Sequence, residues 1–195
     1  MIRGASIGSI VLAIAMLSFA APADARPAAQ GWYAEGGAGA VAFLPKTNKD
    51  AALGPCLGVR ICYDLFSFLS VGIQLGASSH EATVPAPPSG EWFQLYRGAA
   101  DVRIGGRFER LALFIEGGLG AAMISSNILM KVGITDPGQR FSVLFQAGAG
   151  GEYQLENRHY AIGLGVDGVL MPSFKPTGGS PAIAIDTRVY LRYTY

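Results

Sequence analysis

Four consecutive residues, Ser78, Ser79, His80 and Glu81, combine the side chains that nucleophilic catalysis uses. A serine nucleophile needs a histidine within hydrogen-bonding distance and a carboxylate that orients the ring. The segment alternates like a β-strand, so Ser79 and His80 point to opposite sides, whereas Ser78 and His80 share one side. A hydrolytic site therefore stays an alternative, and a polar strand end that meets water is the interpretation we favour. His159 lies in a short predicted turn and is interpreted as a solvated residue.

Eleven charged residues occupy the polar sides of alternating segments, where five arginines oppose six carboxylates. A selective pore would carry one sign in excess, whereas balanced charges in a narrow space pair with each other. The sequence therefore predicts a salt-bridged interior rather than a conducting path. The predicted network comprises Glu35, Arg60, Arg97, Asp101, Arg103, Glu116, Glu152, Asp167, Asp186, Arg188 and Arg192.

Other kinds of site are not indicated by the sequence. No metal-ligand spacing and no phosphate-binding glycine motif is present, so we expect neither a metal nor a cofactor. The net charge of +1 gives no basic surface for nucleic acid. Cys56 and Cys62 are six positions apart in one predicted strand. At ~3.3 Å per residue they are about 20 Å apart, too far for a disulfide. We interpret them as small interior residues, and the sequence leaves their redox state open.

These side chains lie on eight segments in which apolar and polar residues alternate with period two. Such alternation is the pattern of β-strands. The first segment is the least regular, because Glu35 places odd positions inside while Val41 and Phe43 break the pattern, so we predict a bulge there. The predicted strands span residues 32–44, 56–64, 69–80, 92–105, 111–125, 141–154, 160–170 and 182–195.

Short and long connections alternate along the chain. Residues 65–68, 106–110 and 155–159 are short turns, whereas 45–55, 81–91, 127–140 and 171–181 are longer loops. This asymmetry is typical of a transmembrane barrel, whose apolar face contacts lipid. All lysines lie in the long loops, and the bases on strands are arginines among glycines, which suits a crowded interior. We therefore predict an all-β, eight-stranded antiparallel up-and-down transmembrane β-barrel, rather than a soluble ligand-binding barrel.

Aromatic residues on the apolar sides cluster near the strand ends. Amphipathic rings at two levels form the interfacial girdles of a membrane barrel. The predicted girdle at the short-turn end contains Trp32, Tyr63, Tyr153, Tyr160, Tyr193 and Tyr195, and Trp92 and Phe141 lie at the other end.

The N-terminus has the pattern of a secretory signal peptide, with Arg3, an apolar core at 7–19 and a small-x-small site at 23–25. The core is shorter than the ~20 residues of a spanning helix. We predict a signal peptide at residues 1–25, with cleavage after Ala25 or Ala23, and a barrel at 26–195. The expected location is the outer membrane of a Gram-negative bacterium.

Both ends of the predicted mature chain carry a recognisable pattern, which consists of the Ala23-Asp24-Ala25 site, the opening Trp32-Tyr33-Ala34 and the closing strand at 189–195. With these features the chain resembles the OmpA/OmpX-type family of small outer-membrane barrels. The resemblance implies that the barrel-assembly machinery reads an assembly signal formed by Val189, Leu191, Tyr193 and Tyr195. Residues 63–72 and 79–82 also resemble small barrels of gliding deltaproteobacteria, including ones assigned to adventurous gliding motility.

The loop at 127–140 contains the apolar residues Ile128, Leu129, Met130, Val132 and Ile134. They either mark a partner site or extend the flanking strands above the bilayer. The sequence predicts a non-enzymatic structural or protein-interaction component of the cell envelope, with a gliding-motility assembly as one setting. The expected partners are outer-membrane lipid, the barrel-assembly machinery and other envelope or motility proteins. A narrow solute channel and, with less support, a lipid A-modifying enzyme stay alternatives.

Overall fold

A computed structural model describes residues 31–44, 51–81, 92–125, 141–174 and 181–195. These residues contain eight strands, each of which agrees with a predicted segment to within three residues at either end. None of the described residues belongs to a helix with the length and hydropathy of a membrane span. The strands are β1 (Trp32–Phe43), β2 (Gly54–Phe66), β3 (Leu69–Glu81), β4 (Trp92–Phe108), β5 (Leu111–Ile124), β6 (Phe141–Gln154), β7 (Tyr160–Met171) and β8 (Ala182–Thr194).

The strands close into one antiparallel barrel in which each strand pairs with its neighbour in sequence and β1 pairs with β8. This confirms the predicted fold class. The pairing is staggered around the barrel. A path of paired residues that leaves β1 at Trp32 crosses every strand and returns to β1 at Ala42, ten residues further along. Closure with such a stagger tilts the strands by roughly 35–45° and leaves an interior just wide enough for side chains to fill.

Alternation gives each strand one inward and one outward side. On β2, Arg60 and Cys62 are buried, while Leu57 and Ile61 are 68% and 59% exposed. In a soluble protein the large apolar side chains would be the buried ones. The barrel therefore has its apolar face outside and its polar face inside, as the connection pattern predicts.

The bulge predicted in β1 is wrong. β1 keeps a continuous register with both β2 and β8. Val41 is completely buried in an apolar cluster, and Phe43 packs against that cluster. The prediction failed because it assumed a polar interior along the whole strand, whereas the interior is apolar at this end. The register shift lies in β2 instead, between Asp64 and Phe66.

Three short turns lie together at one end of the barrel, at 67–68, 109–110 and 155–159. Glu109 adopts a left-handed conformation with a φ of 54°, which suits a two-residue hairpin turn. The long connections at the other end fall largely outside the described residues. So do Lys46, Lys49, Lys131, Lys175 and the predicted signal peptide at 1–25.

Candidate functional site

The eleven charged residues of the predicted network all line the barrel interior. Ten of them are buried, and the Arg188 side chain is only 12% exposed. Every one makes an ion pair with another member of the set. Many pairs join residues that are far apart in sequence, because the staggered closure brings distant strands to the same level.

Arg103 on β4 pairs with three carboxylates that lie on three other strands. Its Nη1 lies 2.7 Å from Glu35 Oε1 and 2.6 Å from Glu152 Oε1. Its Nε donates to Glu116 Oε2 at 3.0 Å. The guanidinium carbon also lies 3.9 Å from the centre of the Phe114 ring. A planar guanidinium presents five donors in a fixed fork, so one arginine here satisfies carboxylates from β1, β5 and β6.

Arg60 on β2 forms a second junction beside the first. Its Nη1 lies 2.6 Å from Glu116 Oε2 and 3.5 Å from Glu35 Oε2, and its Nη2 contacts Asp101. Glu116 is therefore shared between Arg60 and Arg103. Because these groups are buried, removing either arginine leaves carboxylates that are incompletely neutralised.

A third group of pairs lies towards the long-loop end. Arg97 Nη2 lies 2.6 Å from Asp186 Oδ2, and Arg188 contacts Asp167. Asp167 and Asp186 are cross-strand partners on β7 and β8. Two carboxylates directly opposite each other are tolerated when arginines lie against both of them.

The interior at the short-turn end contains an ion pair that the prediction missed. Arg192 pairs with Asp64 at 3.0 Å as well as with Glu152 at 3.2 Å, and its guanidinium lies 3.6 Å from the centre of the Tyr33 ring. The Tyr33 hydroxyl donates to Ser70 Oγ at 3.0 Å. Asp64 is absent from the predicted network, although alternation places it on the same side of β2 as Arg60; its partner is 128 positions away in the sequence.

Beyond the ion pairs, an apolar layer fills the interior at the long-loop end. Leu95, Leu144 and Met171 are at most 1% exposed and point inward with Val41 and Val169. The prediction of a salt-bridged interior did not include this layer. Large apolar residues on the otherwise polar sides of β4, β6 and β7 were the available signal. The remaining buried members are Cys56, Ala99, Ala122, Phe174, Ala182 and Ala184.

The outer surface is apolar between two levels of aromatic side chains. At the short-turn end, the rings of Trp32 and Tyr63 lie 5.3 Å apart, and those of Tyr160 and Tyr193 lie 5.1 Å apart. Tyr153 and Tyr195 are exposed at the same end, and Trp92 and Phe141 at the opposite end. An apolar band between two aromatic levels matches a surface that contacts a bilayer.

The sequence matches a family model described as "Outer membrane protein beta-barrel domain" over residues 10–179. The chain belongs to this outer-membrane β-barrel family. Its location is therefore the bacterial outer membrane, as predicted.

Solved structures have the same fold as this outer-membrane barrel. Neisserial surface protein A (NspA) has a TM-score of 0.59 and 12% identity, with 85% of this chain and 97% of NspA covered. The outer membrane protein OprG from Pseudomonas aeruginosa has a TM-score of 0.52 and 13% identity, with 85% and 96% covered. At these identities the similarity shows the fold alone. No curated protein matches the chain in sequence.

Ser78 and His80 form the hydrogen bond that the shared strand face allows. His80 Nε2 lies 2.9 Å from Ser78 Oγ, and Nδ1 lies 2.9 Å from the carbonyl oxygen of Ala52. A carbonyl therefore takes the place that a carboxylate has in a catalytic triad. The imidazole is fully buried between the rings of Phe43 and Phe93, at 5.0 and 5.3 Å. In this part of the barrel the pair has the environment of packed, satisfied polar residues.

The two cysteines are free thiols on β2 that face the interior of the barrel. Cys56 and Cys62 are 3% and 2% exposed. Cys56 Sγ donates to Asp186 Oδ1 at 3.4 Å. Gly72 makes room for Cys62, because a Cβ at that position would collide with the Cys62 sulfur. Both thiols thus act as small interior side chains, as interpreted from their spacing.

The remaining predicted site residues lie on β8 and in the loop. Val189, Leu191 and Tyr195 are 57%, 47% and 71% exposed on the outer side of the closing strand, and Tyr193 is half-buried. Their role as an assembly signal stays a prediction. The loop residues Ile128, Leu129, Met130, Val132 and Ile134 lie outside the described residues.

Proposed function

We propose that this barrel is a non-conducting, non-enzymatic component of the cell envelope that acts through surfaces outside its lumen. The observation that carries the proposal is the filled interior. A layer of ion pairs centred on Arg103 is followed by an apolar layer around Leu95 and Leu144. A barrel whose interior is packed has its lipid face, its turns and its loops left for function.

The two layers oppose ion passage for different reasons. An ion that crossed the first layer would have to separate buried charge pairs, which leaves charges uncompensated in a low-dielectric interior. An ion that crossed the second would lose its hydration among apolar side chains, and hydrophobic constrictions close pores in this way. The channel alternative therefore requires both layers to rearrange.

The purified barrel should show no stepwise current when it is reconstituted in a planar bilayer. Glu116→Gln is the matched variant, because it loosens the ion pairs with Arg60 and Arg103 and leaves the apolar layer intact. We expect this variant to stay silent as well. Defined current steps from the unmodified barrel would favour the channel alternative and refute the proposal.

The enzyme alternative depends on Ser78 and His80. Their burial and the carbonyl partner of His80 support a structural role. Lipid A mass spectra from cells with and without the gene compare the two roles directly. We expect identical spectra, and a gene-dependent loss or gain of an acyl chain would establish an enzyme.

The partner is proposed to be another envelope protein that contacts the loop at 127–140. The apolar residues of that loop support this proposal, because their contact with water is unfavourable. The resemblance of residues 63–72 and 79–82 to barrels of gliding bacteria makes a motility assembly the first setting to test.

Replacing Leu129 and Met130 by Ser together should weaken the capture of this partner from envelope extracts by at least about tenfold, since two apolar anchors are worth ~1.4 kcal/mol or more. Heat-modifiability of the variant on a gel should be unchanged, which shows that the barrel still folds. Serine replacements of the exposed Leu57 and Val59 on the lipid face serve as a control. Undiminished capture would exclude the loop as the partner site.

A further inference from the structure

The three short turns differ sharply in chemistry. The turns after β4 and β6 carry exposed charges, including Glu109, Arg110 and Arg158. The turn between β2 and β3, taken together with the last two residues of β2 as residues 65–68, carries no charge at all. We call residues 65–68 the aromatic turn. Leu65, Phe66 and Phe68 are 45%, 55% and 55% exposed there. Exposure of so much apolar surface to water is energetically unfavourable.

A register shift turns Phe66 outward. Asp64 pairs with Ser70, and a regular hairpin would next pair Leu65 with Leu69, but the shift pairs Phe66 with Leu69 instead. The extra residue places Leu65 and Phe66 on the outer side, where regular alternation would send Phe66 into the polar mouth beside Asp64. Such bulges re-aim a side chain, and this one adds an aromatic ring to the outer surface.

The aromatic turn continues the lipid-facing surface. Leu65 follows Tyr63 on the outer side of β2, and Tyr63 contacts Trp32 in the aromatic girdle. The rings of Phe66 and Phe68 stack on each other at 5.6 Å. The Gly105 amide donates to the Phe68 carbonyl at 2.9 Å and ties the turn to β4. The exposed rings therefore belong to an ordered patch that begins at the bilayer surface.

We propose that the aromatic turn inserts into the lipid of the periplasmic leaflet and anchors this side of the barrel. Lipid is the occupant that the apolar patch fits, because the patch is continuous with the band that already contacts the bilayer and carries no charge of its own. The charged turns at 109–110 and 155–159 stay in water. The aromatic turn thus adds to the girdle a further anchor on the side of β2 and β3.

The test places a nitroxide spin label at each kind of turn in pure phospholipid vesicles. Phe66→Cys reports on the aromatic turn, and Arg158→Cys is the matched control in a charged turn. Cys56 and Cys62 are buried. Parent protein treated with the same spin label verifies that these two cysteines do not react. Oxygen concentrates in the bilayer, whereas a nickel chelate stays in water. We expect the Phe66 site to collide several-fold more with oxygen than with nickel, and the Arg158 site to show the reverse.

A second variant keeps an aromatic ring in place. Phe66→Trp, in a barrel that also carries Trp32→Phe and Trp92→Phe, should be quenched by brominated lipid and protected from acrylamide. Heat-modifiability on a gel shows that each variant is folded. If both sites are accessible to nickel and Phe66→Trp is quenched by acrylamide, the turn is in water and the lipid anchor is refuted. The vesicles contain no other protein, and quenching by brominated lipid identifies lipid as the group that contacts the ring.

Discussion

Arg103→Met is expected to lower the free energy of unfolding by about 3–5 kcal/mol, since it removes one partner from buried ion pairs. The guanidinium contacts Glu35, Glu116 and Glu152 within 3.0 Å. Methionine fills a similar volume and supplies no charge, so these carboxylates would repel one another in the interior. Urea unfolding in detergent or vesicles, followed by the mobility of the folded form on a gel, measures the loss.

Two further variants separate the ion pairs from general damage. Arg110→Met changes an exposed arginine of the β4–β5 turn and should alter stability by no more than about 0.5 kcal/mol. Combining Arg103→Met with Glu152→Gln should recover part of the loss, because one repelling carboxylate is gone. An Arg103→Met barrel as stable as the Arg110→Met barrel would show that the network contributes little.

Gly120→Ala is expected to destabilise the barrel by about 1–3 kcal/mol or more through overpacking. Gly120 lies on the inner side of β5, where β4 approaches closely. A Cβ there would lie 2.6 Å from the Ala99 Cα and 2.8 Å from the Gly98 carbonyl carbon, and it would also collide with the Gly98 carbonyl oxygen. These atoms are backbone, so two paired strands would have to separate. Folding yield into vesicles and urea unfolding measure the effect.

Gly36→Ala is the matched control on the outer side of β1. Nothing lies within 4 Å of a Cβ at Gly36, so the added methyl group would contact lipid only. We expect this variant to be as stable as the parent, or slightly more stable, because alanine loses less backbone entropy than glycine on folding. Equal losses in both variants would mean that close strand approach does not explain the inward glycines.

The strands were predictable because period-two alternation survives wherever the two faces of a sheet meet different solvents. β2 and β3 show this, since lipid-facing Leu57 and Ile73 alternate with interior Arg60 and Gln74. The half of β1 near the long loops was not predictable in this way. Val41 is an inward apolar residue, and alternation cannot separate an apolar interior from a bulge.

The sequence predicts which residues face the interior better than it predicts which of them form pairs. That Arg103 and Glu35 face inward follows from alternation alone, and the structure bears this out. That they touch depends on the ten-residue stagger of the barrel, which sequence patterning does not reveal. The same stagger pairs Asp64 on β2 with Arg192 on β8. Tyr33 also lies inside, as expected from the prediction that odd positions of β1 face inward.

The register shift that turns Phe66 outward could not be predicted from the alternation of apolar and polar residues either. Residues 65–68 were expected to form an ordinary short turn. A bulge inserts one residue into one strand of a pair, and only the pairing of Phe66 with Leu69 reveals it. The exposed apolar residues of the turn were visible in the sequence, but the side on which they lie was not.

Heat-modifiability of outer-membrane fractions tests most directly whether the chain is a closed barrel whose apolar face contacts lipid. A closed barrel resists unfolding in detergent without heat, so unheated and boiled samples should migrate differently, and the protein should be found in the outer-membrane fraction. Identical mobility, with the protein in the soluble periplasm, would contradict the orientation of both faces and the function proposed from it.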